Sequence, residues 1–222
     1  GLDHGTRKIY DRLGYRTGTI HQYFMLNSAY DSYRLASVPD ALPVVDVSDG
    51  AKLGRLSEPG YFAATDGLGL DESPLIPAKS RAQFFNRYMR HPFYDYALYL
   101  VTISGHAAIL ATRLCEHAGV KALRIVDFLG APEALAQSGR GIQDLLAVTG
   151  AEYADLYCSG MEDAVLATGL RNVAEFEDLI IPSHFEPFER KNVGLLYALM
   201  GEGAEVVICK GDGDQDRPNL LV

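Results

Sequence analysis

Tyr96-Ala97-Leu98-Tyr99-Leu100-Val101-Thr102-Ile103, then Ser104-Gly105, then an apolar run from Ala107 to Leu114 that leads back: the fold turns on this stretch. β-Branched and aromatic residues on both sides of a two-residue turn predict a β-hairpin. Ala122-Leu123-Arg124-Ile125-Val126-Asp127-Phe128-Leu129 predicts a third strand. A glycine-rich segment, Gly130 to Gly141, then leads into a helix with Ile142, Leu145, Leu146 and Val148 on one face. Further on, Tyr153 to Cys158 reads as a strand and Glu162 to Thr168 as a short helix. Glu177 to Ile181 reads as a strand closed by Pro182, Asn192 to Met200 as a helix, and Ala204 to Cys209 as a last strand. That order predicts an α/β protein built on a mixed sheet.

Towards the N-terminus, Ile9 and Leu13 recur at helical spacing and Gly14 stands where the helix stops. Thr17 to Leu26 predicts a strand. Between about Ser37 and Pro77 lie Pro39, Pro43, Pro59, Pro74 and Pro77 among many Gly and Asp, the chemistry of a connection. A short helix is expected over Ser80 to Met89, ending before Pro92. The 222 residues amount to about one and a half domains at roughly 150 residues each.

With 48% hydrophobic residues the chain can bury a core, which excludes disorder and fibrous repeats. Its 20 basic and 29 acidic residues give a net charge of −9, which argues against a protein that grips nucleic-acid phosphates. No apolar run approaches the roughly 20 residues of a membrane span, so no membrane insertion is expected. Cys115, Cys158 and Cys209 sit singly in apolar runs and read as small buried hydrophobes in a reducing cytoplasm.

Two motifs carry a resemblance. Ala136-Gln137-Ser138-Gly139-Arg140-Gly141 lies between a strand and a helix. Asp3-x-x-Thr6-x-x-Ile9-Tyr10-x-x-Leu13-Gly14-Tyr15 precedes the strand Thr17 to Leu26. Both resemble the GNAT acyltransferase superfamily, whose pyrophosphate loop is commonly Gln/Arg-x-x-Gly-x-Gly/Ala. Its helix before the last two strands often carries Asn-x-x-Ala-x-x-Leu-Tyr-x-x-Leu-Gly-Phe. The resemblance implies a GNAT-like fold with acetyl-CoA, or another acyl-CoA, as co-substrate. The six histidines form no His-Glu-x-x-His or similar ligand pair, so no metal is expected. Gly139, Arg140 and Gly141 would hold the pyrophosphate at a helix N-terminus, where free N–H groups and the helix dipole favour anions. Tyr10 matches the tyrosine that protonates the departing thiolate. The same resemblance implies three segments: 1–36, the C-terminal remnant of a first GNAT-like domain; 37–79, the connection; and 80–222, a GNAT-like domain. A chain opening on Gly1 is then expected to be a piece of something longer. In the second segment of this kind, Met161 to Leu170, Val165 stands where the tyrosine would be, and valine transfers no proton. His91-Pro92-Phe93-Tyr94, Arg124-Ile125-Val126-Asp127 and Asp214-Gln215-Asp216-Arg217-Pro218-Asn219 resemble GNAT-like proteins of bacterial surface-polysaccharide clusters.

Several residues are candidates on their own chemistry. Asp127, in an apolar strand, is a candidate general base for an attacking amine or hydroxyl, and equally a strand aspartate bonded to an arginine or backbone. Tyr157, or Tyr153, is a candidate acid, with core packing the plainer role. His184, held between Pro182 and Pro187, has Glu186 as an orienting partner or reads as part of a solvated loop anchored by Phe185 and Phe188. Asp212, Asp214 and Asp216 alternate as at the start of a calcium loop, but Arg217 takes the sixth position that an EF-hand needs as glycine. The expected function is transfer of an acyl group, most simply acetyl, to an amine or hydroxyl of a small polar acceptor such as an activated sugar. The strand of Asp127 would part from Tyr153 to Cys158 and admit the acyl-CoA arm. The alternative is a GNAT-fold binding or assembly module without catalysis, to which Ala136 and Val165 point. A homodimer is an assembly compatible with either.

Overall fold

The computed structural model describes residues 4–39, 42, 45, 47, 49–72, 74–200 and 205–213. Helix α1 (His4–Arg12) ends at Gly14, whose φ of +81° suits glycine, and leads into β1 (Arg16–Leu26). A long irregular stretch holds only β2 (Gly54–Arg55) and α2 (Tyr61–Thr65). Helix α3 (Arg81–Phe84) widens into a π turn over Phe85–Met89. The hairpin follows as β3 (Tyr96–Ile103) and β4 (His106–His117), and β5 (Val120–Gly130) returns beside β4. Ser104 and Gly105 both take positive φ, and so do Ala118 and Gly119 at the next corner, the geometry that matches the twist of paired strands. Helices α4 (Pro132–Ala136) and α5 (Gly139–Thr149) cross over to β6 (Ala151–Ser159). Then come α6 (Glu162–Ala167), β7 (Arg171–Asn172), the small pair β8 (His184–Phe185) and β9 (Phe188–Glu189), β10 (Leu195–Leu199) and β11 (Ile208–Cys209).

Among the described residues, nine strands form one mixed sheet in the order β10-β1-β6-β5-β4-β3-β2, with β7 and β11 paired to β1 and β6 off this path. The β5–β6 pair is parallel and its neighbours are antiparallel. Side-chain alternation sorts the core. Tyr23, Met25, Leu123, Ile125, Leu156 and Cys158 face α4, α5 and α6 through Leu135, Ile142, Leu146 and Val165. On the opposite face, Ile109, Ala111 and Val126 meet Tyr61, Phe84 and Tyr88 of α2, α3 and the π turn, while Phe24 and Tyr153 meet Leu179 and Ile181. The result is an α/β structure in three layers. No helix of the described residues is long and apolar enough to cross a membrane.

Residues 16–26 lie inside this sheet, not beside it. β1 pairs with β6 from His21↔Cys158 to Leu26↔Tyr153, and with β10 from Arg16↔Leu199 to Ile20↔Leu195. The helix expected over Asn192 to Met200 is therefore corrected to a strand. Its Leu and Ala residues are good helix formers, but that preference is worth less than about 1 kcal/mol per residue and the open edge of β1 outweighs it. Tyr197 lies opposite Gly18, where any Cβ would come 2.6 Å from the tyrosine ring. The strand expected over Glu177 to Ile181 is likewise reduced to one bridge, Ile180 to Ser37, because Asp178 takes φ +61° and breaks the extended run. Of Ala204 to Cys209 only Ile208–Cys209 pairs as a strand; Val206 bridges Ile76, and Ala204 lies outside the described residues.

One irregularity sets up everything that follows. Along β4, Ala111 faces Asp127 and Thr112 faces Ile125, so Val126 is an extra residue, a β-bulge. It reverses the alternation of β5: Phe128 joins the cluster of Leu123 and Ile125, and Leu129 joins that of Val126.

If β1 is an integral strand, emptying its core positions must cost as much as in any central strand. Phe24 is 1% exposed and packs edge-on to Phe176 at 5.9 Å. Phe24→Ala is expected to lower stability by about 3–5 kcal/mol, measured by urea unfolding. A loss below about 1 kcal/mol would show that β1 is only loosely attached.

Candidate functional site

Pairing of β5 with β6 runs from Lys121↔Ala151 to Ile125↔Leu156 and stops at the bulge. Beyond it the C-terminal segment takes the place beside β6: Cys209 pairs with Cys158 and Ile208 with Ser159. A turn over Lys210–Asp212 then packs against β5, and buried ionisable groups gather there.

Lys79 is the centre of that cluster. Its ammonium donates to Asp127 Oδ1 at 2.5 Å, to Asp212 Oδ2 at 2.8 Å and to the Phe128 carbonyl at 3.3 Å, so three N–H donors meet three oxygens. Asp127 also accepts from the Phe128 N–H on Oδ1 at 2.8 Å and from the Tyr88 hydroxyl on Oδ2 at 2.6 Å. Asp212 Oδ2 accepts from the Cys209 N–H at 2.8 Å. The Tyr88 phenol is pushed far up, first by burial and then by the Asp127 charge. Lys79 is held well above its usual range because the Asp127 and Asp212 carboxylates beside it outweigh its burial. Asp212 is pushed up to about 6, by burial first and then by Asp127. The charge arithmetic explains the direction: one ammonium neutralises one carboxylate, and the second has to share it. Asp127, Cys209 and Asp212 also place three potential ligand atoms within 4.8 Å of one another. The Lys79 ammonium already supplies the positive charge between the two carboxylates.

The segment is built into this position. The Arg87 guanidinium, on the π turn, donates to the Gly211 and Gly213 carbonyls. A Cβ on Gly211 would come 2.3 Å from the Tyr88 hydroxyl and 2.9 Å from the Asp127 Cβ, so only glycine passes. Gly160, with φ +82°, lies so close to Val206 that a Cβ would stand 2.1 Å from its carbonyl oxygen.

Asp127 is thus buried, but its carboxylate is engaged by Lys79 and Tyr88. Tyr157 has other partners, its hydroxyl donating to the Val193 carbonyl at 3.2 Å, with Lys210 Nζ 5.3 Å from its ring. Burial pushes its phenol up. His184 is half-buried on β8 and pushed down, by burial first and then by the Lys210 charge. Glu186, expected to orient it, accepts instead from the Tyr94 hydroxyl at 2.6 Å and stands 3.8 Å from Arg113. Tyr94 is pushed up to about 12, chiefly by burial and that bond. Tyr10 packs edge-on against Tyr15 at the foot of α1, 4.9 Å between centroids. Among the described residues, no contact joins Tyr10, Tyr157 and His184 to Asp127. Of the C-terminal aspartates, Asp212 joins the cluster, whereas Asp214 and Asp216 lie outside the described residues. Nothing in the sequence marks Lys79 or Tyr88 as a site residue. Lys79 lies in a proline-rich stretch with no motif, and Tyr88 reads as one tyrosine of thirteen.

Gly139 and Gly141 fall within the first turn of α5, not in a loop ahead of it. Their missing side chains make room for protein. A Cβ on Gly139 would stand 2.1 Å from the Thr168 carbonyl oxygen, and one on Gly141 would be 2.5 Å from Leu53 Cγ. Arg140 turns to Asp144, 2.9 Å away. A cavity of about 420 Å³ lies between Pro74, Leu75 and the Gly130–Glu133 corner, and Glu72, Glu133 and Glu205 line it, the wrong charge for a pyrophosphate.

No protein-family model matches the chain, and neither curated proteins nor solved structures provide a match.

Two measurements probe this geometry. Asp212 binds its proton near pH 6 in the folded chain, against an ordinary value of 3.8, so between these values the folded state holds more protons. Its contribution to stability therefore falls as pH rises through that window. Asp212→Asn cannot ionise, so its stability relative to the native chain should rise between pH 4 and pH 7, by at most about 3 kcal/mol in chemical denaturation. A pH-independent difference would contradict the shared-ammonium account. Gly139→Ala should cost about 1–3 kcal/mol in the absence of any ligand, seen as a lower melting midpoint. An unchanged midpoint would return Gly139 to a purely ligand-binding role.

Proposed function

We propose that this chain works as a GNAT-like binding or assembly module that does not turn over acyl-CoA by the route its sequence resemblance implies. The observation that carries this reading is the occupied gap. Where β5 and β6 part, Ile208–Cys209 pairs with β6, and Lys79 and Arg87 bond Asp212 and Gly211, so the chain itself takes the place that an acyl-CoA arm would need. Val165 in place of the expected tyrosine supports it, as do glycines packed against Thr168 and Leu53. Three buried free cysteines support the cytoplasm as its setting.

Acyl transfer to a small polar acceptor, an activated sugar included, is a second reading. It is favoured by the one parallel pair of the described sheet, β5 and β6, which diverges beyond Ile125 and Leu156 as the resemblance requires. On that reading the Val206–Gly213 segment leaves the gap, an acceptor amine or hydroxyl attacks the thioester carbonyl with Asp127 taking its proton, and the C–S bond breaks to release the CoA thiolate, which takes up a proton from solvent.

Titration calorimetry with acetyl-CoA separates the two. The module reading expects no saturable heat up to millimolar ligand. Saturable binding below that range, with CoA released on adding an amino-sugar nucleotide, would replace it with the acyltransferase.

A further inference from the structure

Cys158 of β6 and Cys209 of β11 are direct partners in an antiparallel pair, and both are completely buried. The neighbouring Cys158 thiol, followed by burial, pushes the Cys209 thiol well above its usual range. The Cys158 thiol also lies 3.3 Å from the Gly160 carbonyl oxygen. The remaining cysteine, Cys115, faces Ala122 across β4 and β5. Directly opposed residues of antiparallel strands hold their Cβ atoms about 4.5–5.5 Å apart. A disulfide needs about 3.5–4.5 Å, so closure asks for a shift of roughly 1 Å.

We propose that Cys158 and Cys209 form a reversible disulfide that fastens the C-terminal segment into the gap between β5 and β6. While β11 is seated, both thiols are buried away from solvent, so the closed state reacts slowly. β11 holds β6 through only two register pairs, and so short an element opens locally without global unfolding. Once it lifts, either cysteine, as thiolate, attacks a sulfur of a small external disulfide such as oxidised glutathione and expels one glutathione thiolate. When β11 reseats, the other cysteine attacks the protein-bound sulfur and expels the second. Two protein thiols are oxidised, one external disulfide is reduced to two thiols, and the two cysteine protons end on the released glutathione. The bond would lock Lys210–Asp212 against Lys79 and Asp127. The reduced pair leaves the segment held by hydrogen bonds and the Lys79 ion pairs alone.

The three cysteines fall on different tryptic peptides, 114–121, 141–171 and 192–210, so each pairing has its own mass. The native, intact 222-residue chain is incubated with oxidised glutathione without denaturant, then digested and analysed without reduction. The expected product is peptide 141–171 joined to 192–210, less two hydrogen atoms. Its formation should raise the melting midpoint by several degrees, and dithiothreitol should reverse both. Cys209→Ser should give neither the linked peptide nor the rise in midpoint. Recovery of Cys158 and Cys209 as free thiols or as separate glutathione adducts would overturn the proposal. So would linkage through Cys115, or a Cys158–Cys209 bond that forms only in urea.

Discussion

A single buried ammonium ties together three stretches of chain that are far apart in sequence. Lys79 comes from the segment before α3, Asp127 from the bulged part of β5, and Asp212 from the C-terminal turn. Removing these charges from water is costly, and the cost is offset only while all three groups stay in contact. The three segments are therefore positioned by one another. The bulge at Val126 turns Asp127 towards Tyr88 and Lys79, and the Lys79 ammonium holds Asp212. Asp212 in turn seats β11 on the free edge of β6 through the Cys209 N–H.

The same arrangement decides what the gap between β5 and β6 can do. A divergence of two parallel strands exposes backbone N–H and C=O groups that need partners. Here the chain supplies them itself, from its own C-terminal segment. Gly211 and Gly160 show how closely that segment is fitted, since a methyl group at either would collide with neighbouring atoms. A cleft filled in this way favours holding a shape over admitting a substrate, and this is the ground for preferring a module to an acyltransferase.

Legibility in the sequence followed the range of the interaction. The hairpin Tyr96–His117 and the strands β5 and β6 were readable because long β-branched and aromatic runs end at short turns. Leu195–Leu199 reads as helix from its neighbours because its partner, β1, lies some 180 positions away in the chain, and only the open edge of β1 makes it a strand. Among candidate site residues, Asp127 stood out as a carboxylate in an apolar run, and it is indeed buried. Its partners did not stand out, because nothing local distinguishes Lys79 or Tyr88. The glycines at 139 and 141 were visible as glycines, but the same absence of a side chain serves a phosphate or a packed neighbour equally well.

The sequence by itself determined an α/β chain with a mixed sheet, the main strands of its centre and the turns between them. These depend on periodicity, turn chemistry and composition, which are properties of neighbouring residues. Tertiary structure alone decided that β1 is a central strand, that Lys79 joins Asp127 and Asp212, and that the C-terminal segment fills the gap. Each of these is a contact between distant parts of the chain. It is selected by which edges remain unpaired and which charges must be buried together, and no local pattern records that choice.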